Sequence, residues 1–264
     1  MVFQQALSSL HPFKEPAKMK RYLAILILSA GLLGTVLPAS AQAPKKIPAD
    51  KQRALLWKPD KGQYYFSHAL VFDYQNKADK TSGTLKVHLD PVTGAMCFVK
   101  ETSFGQGGKA FDFAIGFPDG KYIFCGTDEN GKKVRVNELV KEFKPDVDTK
   151  KQQQDDFKTY VVPTENKRED FGFTSTEYDL TYATSGTQEK IWLTKTPFSV
   201  YPLYGLEFVE SAVSLPVSFD YMNLLPSDLL LSEMNSKDVV LKLKSFGKDP
   251  YTANAKGYAV LKVE

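Results

Sequence analysis

Residues 111–139 read FDFAIGFPDGKYIFCGTDENGKKVRVNEL, and this stretch decides the fold class. Its first seven residues alternate, putting Phe111, Phe113, Ile115 and Phe117 on one face of a strand. Pro118-Asp119-Gly120 then supplies turn residues before KYIFCG, and TDENG does the same before KKVRVNEL. Turn residues between alternating runs are the signature of hairpins, and nothing here has the 3.6-residue period of a helix.

The same pattern extends in both directions. From Gln63, YYFSHALVFDY places Tyr64, Phe66, His68, Leu70, Phe72 and Tyr74 on one face of a long strand. Leu85, Val87 and Leu89 alternate with Thr84, Lys86 and His88, and a DPVTG turn leads into AMCFVK. Downstream, the polar stretch 144–157 predicts a surface excursion or a short exposed helix. Strand patterns return at KTYVV, TEYDLTYA and QEKIWLTK, the last two joined by a turn at 183–186. PSDLLLSEM (226–234) predicts a short helix capped by Ser227 or Asp228. DVVLKLKSF and GYAVLKV supply the closing strands. The expected fold is mainly β: a single curved antiparallel sheet or half-barrel of about ten or eleven strands with one or two short helices. It forms one domain over 63–264, with 42–62 as a linker carrying a short docking helix at 54–57.

Formal charge is +3, from 34 Lys and Arg against 31 Asp and Glu. Lys14, Lys18, Lys20 and Arg21 against Glu15 account for the whole excess, leaving 30 charges of each sign beyond residue 41. Such a domain has little to attract a phosphate backbone, so no nucleic-acid partner is expected. Residues 19–43, MKRYLAILILSAGLLGTVLPASAQA, have the basic start, apolar run and Ala39-Ser40-Ala41 ending of a cleaved signal peptide. Residues 1–41 are therefore read as a signal segment, with translation starting at Met19. The apolar run is about 16 residues, short of the roughly 20 that a spanning helix needs. No membrane span is expected in the mature chain. With no cysteine near the cleavage site to carry a lipid anchor, the expected location is the periplasm or the extracellular space.

Catalytic signatures are scarce. Beyond residue 41 there are two histidines. His68 is expected in the core among Tyr64, Phe66, Leu70 and Phe72, and His88 is expected to face solvent. There is no HExxH, no CxxC and no GxSxG, and no serine is expected to have a His nearby to activate it. Residues 104–109, FGQGGK, lack the spacing and the Ser/Thr of a P-loop. Asp128-Glu129-Asn130-Gly131 lacks the bidentate Glu of a calcium loop. No catalytic residue, metal ligand or cofactor is assigned, although scattered carboxylates leave a glycosidase-like pair open. Cys97 and Cys125 are the only cysteines. If the FDFAIGF strand lies between theirs, they sit roughly 9.6 Å apart, beyond the ~7 Å that a disulfide tolerates, and two buried thiols are expected.

Three phrases, PDGKYIFCGTDENGKKV, EYDLTYATSGTQEKIWLTKTPF and DVVLKLKSF…GYAVLKVE, resemble an uncharacterised family of exported proteins from Gram-negative bacteria. That family is distantly similar to the outer-membrane lipoprotein carriers, the LolA/LolB-like half-barrels. Its strand ending in Trp-x-Thr corresponds to Trp192-Leu193-Thr194; its Gly-Tyr pair and cysteine are replaced by Phe171-Gly172-Phe173. The resemblance implies a curved antiparallel sheet with a helix or loop across its concave face, and no residue-level function.

The segment 196–234 holds Phe198, Tyr201, Tyr204, Phe208, Phe219 and Tyr221, broken by Pro197, Pro202, Pro216 and Pro226. An aromatic loop must cover something apolar or expose a binding patch. Phe198, Tyr201, Tyr204, Phe219 and Tyr221 are thus the candidate ligand-binding residues, on a lid that is either fixed or mobile. The expected function is an exported, non-enzymatic protein binding an apolar ligand, a lipid or a lipid-modified partner. The alternative is a structural or interaction module of the cell envelope; oligomeric state is left open. Intact-mass measurement of the exported protein should find Gln42 at the N-terminus, and retention of Met1 or Met19 would refute the cleavage.

Overall fold

Period-two patterning yields twelve strands in one curved sheet. The computed structural model describes residues 49–104, 111–140, 147–182, 185–209, 215–219 and 224–261; residues 1–41, where a signal segment is expected, lie outside them. Helix α1 (Ala49–Leu56) is followed by β1 (Gln63–Asn76), β2 (Thr81–Asp90), β3 (Ala95–Val99), the one-turn α2 (Lys100–Ser103), β4 (Phe111–Gly116), β5 (Lys121–Thr127) and β6 (Lys133–Leu139). Then come α3 (Val147–Tyr160), β7 (Val161–Asp170), β8 (Phe173–Thr181), β9 (Gln188–Lys195), α4 (Tyr201–Gly205), β10 (Leu229–Asn235), β11 (Val239–Asn254) and β12 (Ala259–Val260). The spatial order is β12-β6-β5-β4-β3-β2-β1-β11-β10-β9-β8-β7. Every pairing is antiparallel except the parallel contact of β12 with β6. No helix among the described residues is long and apolar enough to cross a membrane.

Residues directly opposite in a ladder share a face, so the register defines two rows across the sheet. Phe246, Leu70, Val87, Phe98, Ala114, Phe124 and Val136 form one. Gly247, Ala69, His88, Cys97, Ile115 and Ile123 form the other. Both faces are buried over the central strands, which is why AMCFV in β3 reads as a continuous apolar run. Each large side chain buried this way contributes about 1.5–3 kcal/mol.

Irregular register changes several faces from those expected. Phe111 opposes Gly126 and Phe113 opposes Cys125, so β4 carries an extra residue there. Phe111 consequently packs on Phe124, 5.2 Å between rings, away from Phe113 and Ile115. A second break, between Phe66 and His68, adds a residue to β11 beside Pro250, a residue that cannot donate to a ladder. Tyr64 and Phe66 join the cluster of Cys97, Phe113, Ile115 and Cys125, whereas His68 opposes Leu89.

The segment 226–234 is strand β10 and its preceding turn, not the expected helix. Leu230 and Leu231 are buried, and Leu229–Met234 pairs with Ile191–Lys195 of β9. Three consecutive leucines carry no period, so the ladder offered by β9 overrides their helical propensity. In the Trp192-Leu193-Thr194 phrase, Trp192 lies under the Arg168 guanidinium at 4.1 Å and the Thr194 hydroxyl meets Ser175 Oγ at 2.6 Å. Cys97 and Cys125 are buried free thiols on β3 and β5, with β4 between them.

The sheet curls toward the Cys97 face. Tyr64 of β1 reaches Phe117 after β4, 6.0 Å between rings, and Phe113 meets Tyr258 beyond β11 at 5.6 Å. Trp57 caps this cluster with edge contacts to Tyr64 and Phe66. Helix α1 holds Trp57 in place through Arg53, which stacks over its ring at 5.0 Å and grips Asp90 with contacts of 2.7–3.1 Å. Asp90 is fully buried and also accepts from the Thr93 hydroxyl. Arg53→Met should strand that carboxylate and cost about 2–3 kcal/mol, because breaking a pair with one buried partner leaves its charge uncompensated. Urea denaturation is the measurement, and an unchanged midpoint would refute the role.

Candidate functional site

Ladder pairing leaves one seam in the sheet. Strand β10 pairs with β11 only through Glu233–Asn235 against Val240–Lys242. From Leu243 onward β11 continues along β1, while Leu229–Leu231 of β10 stay with β9. The two strands diverge, and backbone groups of β10 on that side need other partners.

The chain after β9 fills the gap. The Tyr204 hydroxyl donates to Leu229 O and accepts from Leu231 N, both at 2.8 Å, taking the place of a neighbouring strand. Burial pushes the Tyr204 phenol well above its ordinary pKa. Phe198 packs against Phe246 of β11 (5.5 Å) and Phe173 of β8 (6.2 Å), spanning the two sides. Phe219 packs on Tyr204 at 5.9 Å. Pro202 lies in the first turn of α4, where its missing N–H is not needed, and its carbonyl accepts from the buried Tyr122 hydroxyl at 2.9 Å. Gly116 and Gly205 make this approach feasible. A Cβ on Gly116 would lie 2.5 Å from the Tyr122 ring, and one on Gly205 2.7 Å from its hydroxyl.

Of the five candidate residues, Phe198, Tyr204 and Phe219 are therefore buried in one plug beneath the Leu70 face. Tyr201 is half-buried at its margin, and Tyr221 lies outside the described residues. The plug closes the seam with the protein's own side chains. Its position was not legible from the sequence, because the seam exists only once β11 has chosen β1.

The histidines exchange the roles expected of them. His68 is half-buried, stacked on Phe246 at 5.3 Å, with Nδ1 2.7 Å from Ser67 Oγ. A Ser–His pair thus exists where none was expected. Asp90, a carboxylate whose field reaches His68, is already held by Arg53 and Thr93 and does not orient the ring by a hydrogen bond. His88 is the buried one, 6% exposed, because the face it shares with Cys97 is the one enclosed by the curl. It stacks on Tyr251 at 4.4 Å, and its Nδ1 has no hydrogen-bond partner among the described residues. Lys86 pairs with Asp249 beside it.

No protein-family model and no curated protein matches the sequence. Among solved structures the chain is similar to PNGF-II in two crystal forms. The C2 form gives a TM-score of 0.38 and the P21 form 0.35, each at 9% identity over 74% of this chain. The chain spans under a third of the length of those proteins, 30% and 31%.

Burial holds the pKa of His88, and more weakly solvated surroundings that of His68, below the ordinary 6.5. The folded state then binds fewer protons than the unfolded chain, so this stability is present above about pH 6.5 and is lost as pH falls toward the depressed folded values. Melting temperature should drop between pH 7.5 and 5.5, and His88→Phe, which keeps the stack on Tyr251, should flatten the drop. A variant as acid-sensitive as the wild type would refute the assignment.

Proposed function

We propose that the protein is an exported, non-enzymatic binding protein that accepts an apolar ligand, or the acyl chains of a lipid-modified partner, in the seam between β10 and β11 when the plug lifts. The observation that supports this reading is the Tyr204 hydroxyl, a side chain standing where a sheet would place a strand. An interior completed by a loop can be completed by something else of similar chemistry. Lifting the plug exposes Phe198, Leu203, Tyr204 and Leu206, each worth about 1.5–3 kcal/mol of burial. An acyl chain returns about 0.8 kcal/mol per methylene, so a dozen methylenes offset the exposure. The exchange is close to balanced, as reversible loading requires. The resemblance to LolA/LolB-like carriers implies the same class of cargo.

The signal-peptide pattern of residues 19–43 supports export and a periplasmic or extracellular location. Carriage of apolar cargo between membranes fits that location.

The test is titration with an environment-sensitive apolar dye, followed by displacement with a fatty acid. Wild type should bind both. Tyr204→Phe leaves Leu229 O and Leu231 N buried without a partner, which should lower stability by about 1–3 kcal/mol and tighten dye binding by favouring the open plug. Wild-type protein that binds neither dye nor fatty acid would refute the carrier reading, leaving an interaction module of the envelope.

A further inference from the structure

A pocket of about 350 Å³ opens where the curled sheet brings β6 against the ends of β1 and β11. Its lining includes Asp60, Lys61, Arg135, Lys256 and Tyr258. Three cationic residues and one carboxylate thus line it, in a chain whose charges balance beyond residue 41.

The walls are rigid. A 3-10 turn at Pro59–Lys61 ends at Gly62, whose φ of 69° suits glycine. The Gly62 carbonyl accepts from Ala255 N at 2.7 Å. A Cβ at Gly62 would sit 3.1 Å from Lys256 N, so glycine permits the two turns to touch. Beyond them, the parallel contact of Val134 and Arg135 with Ala259 and Val260 fixes the far wall, reinforced by Leu261 N donating to Arg135 O.

Arg135 is the unusual member. It opposes Cys125 on β5, is half-buried, and has no ion pair among the described residues. Its Nε is buried without a hydrogen-bond partner among the described residues. A guanidinium has five N–H donors in a rigid fork, and an anion paired with it from outside would offset the roughly 1–3 kcal/mol that an unpartnered buried donor costs. The nearby Tyr258 hydroxyl is spent on Asp112 Oδ2 at 2.7 Å, so Tyr258 offers the pocket its ring alone.

We infer that this pocket binds a phosphoryl group carried on a small hydroxylated molecule, with Arg135 as its principal ligand and Lys61 and Lys256 completing the charge. Guanidinium forks match phosphate oxygens bidentately, and lysines serve as adaptable point charges around them. The volume lies at the small end of ligand pockets, enough for a phosphate ester of monosaccharide size. Asp60 opposes a second anionic group and accepts from ligand hydroxyls, which favours a monoester over a diphosphate. The phosphoryl group belongs either to a free sugar phosphate or to a lipid headgroup. The site does not rest on the seam: its residues come from other strands and from the opposite end of β11.

The test is calorimetric titration with inorganic phosphate, glucose 6-phosphate and glycerol 3-phosphate, alongside sedimentation with phosphatidylglycerol and phosphatidylcholine vesicles. Saturable binding of a soluble ester without vesicle association identifies a free metabolite as the source. Association with phosphatidylglycerol vesicles alone identifies a lipid headgroup. Arg135→Gln should weaken whichever binding occurs by about tenfold or more while leaving melting temperature unchanged or raised, since Arg135 has no internal partner to lose. Lys256→Glu should weaken it without touching the buried wall. Tyr204→Phe should leave it unaltered, which separates this site from the plug. Absence of binding to every probe, an Arg135→Gln protein that binds like wild type, or one that melts several degrees lower would each overturn the proposal.

Discussion

The pairing of β1 with β11, running from Gln63–Asn254 to Asn76–Val239, joins two otherwise local structures. Strands β1 to β6 follow one another as antiparallel neighbours, as do β7 to β10. Each series forms by hairpins and short connections, with little loss of chain entropy per contact. Bringing β11 to β1 closes a loop of most of the chain, so that entropy must be met by burial on both faces of the junction. Leu70, Phe72, Leu241 and Leu243 meet on one side of it, and Phe66 and Ala253 are buried near its end. Bulges beside Pro250 and at Lys244 let so long a ribbon bend without breaking.

Both concavities are consequences of how β11 ends. At its start it leaves β10 after three register pairs and follows β1, which opens the seam that Tyr204 and Phe198 fill. At its finish, opposite Gln63, the chain turns, laying Ala255–Tyr258 against the Gly62 turn and β12 on β6. One end is apolar and lined with aromatic rings; the other is cationic and polar. A strand paired along its whole length with β1 but only briefly with β10 thus creates two chemically distinct places on one sheet.

Few buried side-chain polar atoms among the described residues lack a partner, and two of them are informative. His88 Nδ1 faces the stack with Tyr251, and its lack of a partner is consistent with a ring held neutral by burial. Arg135 lines the cationic pocket, where an anion from outside can pair with its guanidinium.

The alternation in FDFAIGF, KYIFCG and QEKIWLTK determined the strands and their hairpin order, because a period of two depends on backbone geometry alone. The same reasoning placed β4 between the two cysteines. Tertiary structure decided what depends on a neighbour's register. The extra residue opposite Cys125 turned Phe111 to the other face, and the curl buried His88 while half-exposing His68. The ladder of β9 made a strand of Leu229–Leu231. The aromatic content of 196–221 was visible as composition, but its role as a plug required the seam. Lys61, Arg135 and Lys256 are separated by more than 70 residues at each step, and no local pattern brings them together. Side-chain direction along a strand is local information, whereas which strands meet, and in what register, is fixed by packing over the whole chain.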